Sequence, residues 1–137
     1  MGSPQVIVLD THEWVWWVSE NTRLRPGAKR AIEDHLSSGL AISSMSCWEV
    51  GKLVEHGRLT LDRPIREWFD LALDRPGVRI IGLTPDIVVD ATSLPGSFHK
   101  DPADQIIVAT VRVLGAPLLT EDARILGYSH VQLVATA

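Results

Sequence analysis

Residues 5–10 read QVIVLD. Four consecutive apolar residues, three of them β-branched, end on an aspartate, and the run is too short for a helix to bury. It reads as a strand covered on both faces, because a half-exposed strand alternates apolar with polar and this one does not. Similar short runs recur as LAIS (40–43), VRIIGL (78–83), PLLT (117–120) and VQLVAT (131–136). Helical patterns lie between them: THEWVWWVSE (11–20), RPGAKRAIEDHLSSG (25–39), SMSCWEVGKLVEHG (44–57), RPIREWFDLALDRPG (63–77), TPDIVVDATSLPG (84–96), HKDPADQIIVATVRVLG (99–115) and EDARILGY (121–128). Prolines stand at helix starts and glycines past helix ends, as Pro26, Pro85 and Gly115 do. Strand and helix alternate throughout, which predicts an α/β fold with a parallel sheet covered on both faces and one domain over 1–137.

In such a sheet the binding crevice lies beyond the carboxyl ends of the strands. Asp10 follows the first strand directly, and Glu121 and Asp122 follow PLLT. Further acids stand at helix starts: Glu49, and the pair Asp101 and Asp104. Each has an ordinary structural reading. Ser46 and Glu49 form the S-x-x-E pattern of a capping box. Asp101 before Pro102 suits an N-cap, and Asp104 then meets the positive end of the helix. Thr11 and Thr120 could cap the helices that follow them. Taken together, these carboxylates would repel one another strongly if desolvated in one crevice. A divalent cation relieves that repulsion, and hard oxygen donors without thiols point to Mg2+ or Mn2+. Such an ion activates water and clamps a phosphodiester.

The totals narrow the field. The 137 residues are 45% hydrophobic with a formal net charge of −4, which argues against binding nucleic acid by bulk positive charge. One cysteine, Cys47, excludes an internal disulfide framework and a multi-cysteine metal site and suits a reducing compartment. No apolar run approaches a membrane span, and the start MGSPQVIVLD lacks a signal-peptide pattern, so a soluble cytoplasmic protein is expected. A haloacid-dehalogenase-type phosphatase needs a second aspartate where His12 stands. The P-loop and dinucleotide-binding glycine patterns are absent. A receiver-like domain needs a lysine after a late strand, and no lysine follows Lys100.

VLDTHEWVWW, SSMSCWEVGKLVEHGRLTL and HKDPADQIIVATVRVLGAPLLTED resemble, in wording and order, the PIN-domain ribonucleases, and more narrowly the VapC toxins of VapBC toxin–antitoxin systems. The resemblance covers nearly the whole chain. It implies a three-layer α/β/α domain with a central parallel sheet of four or five strands. It also implies a metal-dependent endoribonuclease that leaves 5′-phosphate and 3′-hydroxyl ends, is silenced by a VapB-type antitoxin and forms a homodimer. Carried over by position, the catalytic and metal-holding acids are Asp10, Glu49, Asp104 and Asp122. Asp101, Thr11, Thr120 and Lys52 are then supporting or substrate-facing residues. Gln105 stands where an arginine is commoner, and Glu13 and Glu121 add charge that the pattern does not require. The alternative of another class is a PIN-like module that binds RNA or a protein without cleaving.

Five tryptophans could stack on bases, but their helical spacing favours core packing, with Trp14 and Trp17 on one face and Trp16 on another. Trp16 and the helix from Ser46 to His56 are the expected antitoxin groove. Lys52 either meets phosphate or offsets Glu49 a turn away. Arg58 and Arg63 read as surface charges, Cys47 as a buried small residue, and His12 as the one histidine near the site.

Overall fold

The structure is a computed structural model that describes residues 5–136; residues 1–4 of the start read above for a leader lie outside the described residues, as does residue 137. Four parallel strands, β1 (Ile7–Leu9), β2 (Leu40–Ser43), β3 (Val78–Ile81) and β4 (Leu118–Leu119), form one sheet in the order β3-β2-β1-β4. The helices are α1 (Thr11–Val18), α2 (Pro26–His35), α3 (Ser44–Glu55), α4 (Ile65–Leu73), α5 (Pro85–Ala91), α6 (Pro102–Leu114) and α7 (Ala123–Leu126).

The period of two along each strand splits the core into two layers. Ile7 and Leu9 of β1 and Leu40 and Ile42 of β2 face one side, where Trp14, Ile32, Val50 and Trp68 cover them. Val8 and Ala41 face the other, against Ile107, Val108 and Val111 of α6. β1 and β2 are buried throughout, as their unbroken apolar runs require. Helix α5 packs on α6 through Ile87, Ala91 and Ala109, and the Asp90 carboxylate takes two hydrogen bonds from Arg112 across the same pair.

The outer strands depart from expectation. β3 is apolar in sequence but lies at the sheet edge, so Arg79 and Ile80 are exposed. The run VQLVAT forms no fifth strand: Leu118 pairs with Leu133 in a single bridge, and bonds from Leu118 N to Gln132 O and from Val134 N to Leu118 O are its ties to β4. With β4 reduced to two residues, there is too little partner to extend the ladder. Helix starts differ as well. Ser43, not Ser46, caps α3 by accepting from Met45 N, so the S-x-x-E pattern is not a capping box. Asp10 caps α1 in place of Thr11, and Asp122 caps α7 in place of Thr120.

Candidate active site

The chain runs from β1 outward to β2 and β3 and returns to the opposite side of β1 as β4. The reversal leaves a crevice at the carboxyl ends of β1 and β4. A cleft of about 580 Å³ occupies it, and Asp10, Glu49, Asp104 and Asp122 all line it. These acids come from the end of β1, the second turn of α3, the first turn of α6 and the cap of α7. Asp101, Glu13 and Glu121 share the same lining.

Each carboxylate is held by its own partners. Asp10 accepts from Thr11 N at 2.9 Å and from the Thr120 hydroxyl at 2.7 Å. Thr120 Oγ1 in turn accepts from Asp122 N at 3.0 Å, which ties the end of β4 to the start of α7. Thr11 Oγ1 lies 2.5 Å from Glu49 Oε1 and 2.9 Å from Ser46 Oγ. Ser46, buried in α3, thus serves the threonine rather than the helix end. Asp101 caps α6 by accepting from Ala103 N and Asp104 N. Asp104 Oδ2 lies 2.6 Å from His99 Nε2 and 3.3 Å from the Arg124 guanidinium, which also reaches Asp122 at 3.5 Å.

His99 and Arg124 are the partners that the sequence reading missed. His12 is therefore not the one histidine near the site; it is exposed at the cleft, its ring 5.6 Å from that of Trp16. The His99 ring lies 4.2 Å from Phe98, and its carbonyl accepts from the Gln105 amide, so Gln105 braces the loop before α6. Lys52 does not offset Glu49: it pairs with Glu55 at 2.6 Å and is absent from the acid cleft. Arg58, read as a surface charge, lines the cleft. Trp14 and Trp68 are core residues as spacing implied, whereas Trp48 is 56% exposed.

Electrostatics mark the cluster. Burial first, and then the charges of Asp104 and Asp122, raise the Asp10 carboxyl above its ordinary range. Glu49 is pushed up to about 7 by burial, with Asp10, Asp104 and Asp101 adding to it. Asp104 is raised by burial and then by Asp101 and Asp122. Glu13, buried beneath the cleft, is pushed up to about 8 by burial and by Asp10. Asp122 runs the other way: burial acts to raise it, but the Arg124 amide and guanidinium outweigh that. Carboxylates that raise one another suit a site for a divalent cation. Among the described residues, no three potential ligands are already gathered as a finished metal site.

The model of the PIN domain family matches residues 7–130. The chain belongs to the PIN-domain family. This PIN-domain chain is 36% identical over 124 residues to Ribonuclease VapC22 of Mycobacterium tuberculosis, covering 90% of this chain and 92% of that one. Its fold is similar to VapBC2 from Rickettsia felis, bound to a DNA fragment from their promoter, with a TM-score of 0.70 and 15% identity over 95% of this chain and 98% of that one. It is also similar to a toxin–antitoxin complex from Klebsiella pneumoniae, with a TM-score of 0.65 and 21% identity over 96% and 98%. The three-layer PIN architecture expected from sequence is the one observed, with four strands in the sheet.

Proposed function

We propose that this chain is a metal-dependent endoribonuclease of the VapC type, the toxin of a type II toxin–antitoxin pair. The observation that carries the reading is the convergence of Asp10, Glu49, Asp104 and Asp122 on one cleft of a PIN domain. The 36% identity to Ribonuclease VapC22 supports RNA as the substrate.

The donor set fits Mg2+ or Mn2+. It offers hard carboxylate oxygens and no thiol, and three of its four members are raised by burial first, with a mutual repulsion that a dication removes adding to it. Asp10, Glu49, Asp104 and Asp122 would hold the ion, which when bound supplies Lewis-acid activation of water and charge for the phosphate oxygens. The chain's own residues prepare this. The Thr120 hydroxyl fixes Asp10, Thr11 fixes Glu49, and His99 with Arg124 fixes Asp104.

A VapB-type antitoxin is the proposed partner, as the toxin–antitoxin complexes of similar fold suggest. Trp16 lines the acid cleft and the two hollows beside α1, so a segment laid there reaches the acids. A homodimer is proposed on the exposed Leu83, Val88 and Val89 at and before α5. Among the described residues no helix is long and apolar enough to cross a membrane; a cytoplasmic location is proposed with the RNA substrate. The test is purified protein freed of any bound partner, incubated with RNA and Mg2+ or Mn2+, with Asp10→Asn as control and 5′ ends mapped. Cleavage by the parent and none by Asp10→Asn is expected. A parent that cuts no RNA and binds neither metal overturns the proposal.

A further inference from the structure

An acidic cleft repels the polyanion that it is meant to cut, so the strand on either side of the reacting phosphate needs basic partners. Most cations around the cleft are committed to carboxylates. Arg124 serves Asp104 and Asp122, and Arg25 pairs with Glu121 at 3.3 Å. Arg58 is different: it lines the cleft, is exposed, and has no carboxylate partner among the described residues. Its backbone is fixed, because Arg58 N donates to Leu53 O at 2.8 Å across the turn that ends α3.

A shallower groove continues from the cleft along the outer face of α3. Glu49, Leu53, Arg58 and Asp101 line both hollows. Beyond them stands the ring of Trp48, 56% exposed, with Lys52 Nζ 5.8 Å from its centroid. Trp48 precedes Glu49 by one residue, so the helix turns the carboxylate toward the cleft and the indole toward the groove. An open indole face beside basic side chains is the chemistry that binds an unpaired nucleobase. Lys52, His56 and Arg58 share this groove. Lys52 and His56 both lie against Glu55, at 2.6 and 3.7 Å, so Arg58 is the groove's cation left to meet an anion.

We propose that Arg58 binds the phosphate next to the one that is cleaved, and that Trp48 stacks the adjoining base. The inference rests on the ribonuclease reading above, and it directs the RNA from the acid cleft along the outer face of α3. Binding is measured by fluorescence anisotropy of a labelled, unstructured RNA oligonucleotide in a salt series, with Asp10→Asn as the uncleaving background. Arg58→Ala weakens binding about tenfold at low salt and flattens the slope of log affinity against log salt by about 0.7. Trp48→Ala weakens it roughly tenfold with the slope unchanged, and Trp48→Phe recovers most of the loss. Arg66→Ala removes an exposed arginine paired with Asp70 on α4 and leaves both quantities unaltered. Circular dichroism and light scattering on each variant separate binding from folding and assembly.

The inference is overturned if Arg58→Ala keeps the slope and affinity of the Arg66→Ala control. It is also overturned if Trp48→Ala dissociates a dimer while each chain binds RNA as before, which would make Trp48 an interface between copies. RNA binding that depends on both residues, in a parent that cuts nothing with Mg2+ or Mn2+, defeats the ribonuclease reading alone. Cleavage by the parent with unaltered variants defeats this inference alone.

Discussion

Glu13 offers the most direct measurement of what the acid cluster costs the fold. Its side chain is buried and its carboxyl is pushed from 4.5 up to about 8 by burial, with Asp10 adding to it. The folded protein therefore holds the proton through neutral pH while the unfolded chain releases it near 4.5. The contribution to stability is complete below that value and is lost as pH rises through about 8. Each pH unit between the two values costs about 1.4 kcal/mol, so the residue removes about 2.5 kcal/mol between about pH 5 and pH 7, and about 5 in all. Glu13→Gln keeps the shape and cannot ionise. Urea unfolding followed by tryptophan fluorescence gives the free energy of parent and variant at both pH values. The parent's stability is expected to fall by about 2.5 kcal/mol more than the variant's over that interval. Other carboxyls titrate in both proteins and cancel in the difference. Parallel falls in the two proteins would refute the reasoning and would mean that Glu13 is ionised within the fold.

Three further outcomes follow from the same geometry. Thr120→Val removes the hydroxyl that donates to Asp10 at 2.7 Å; a hydrogen bond to a charged group is worth about 1.5–3 kcal/mol, so the acid limb of the cleavage pH profile moves up by roughly one to two units. Asp101→Ala removes the acceptor for Ala103 N and Asp104 N and lowers unfolding stability by about 1 kcal/mol, while Asp101→Asn, also a good cap, loses much less. Gly77 has φ +85°, and a Cβ there would stand 2.5 Å from the Leu36 carbonyl oxygen; Gly77→Ala is expected to cost more than about 2 kcal/mol in denaturant unfolding.

The unbroken apolar runs IVL and LAIS determined the parallel sheet without any structure, because burial on both faces leaves no room for polar alternation. The DPxD pattern likewise determined the cap of α6, since capping is local and Pro102 admits only the first helical position. What the sequence could not decide is who meets whom across the chain. Ser46 and Glu49 match a capping box in sequence, but Ser43 reaches the helix end first and leaves both side chains to Thr11, 35 and 38 residues away. VRIIGL reads as a buried strand, yet sheet order puts it at the edge. Arg124 carries no spacing signal toward Asp104, 20 residues away, because α6 and α7 meet there only once both have docked on the sheet. Local patterns are set by neighbours within a turn or two, and those the chain spells out. The partners of a buried charge are set by the packing of distant elements, and only the folded structure chooses them.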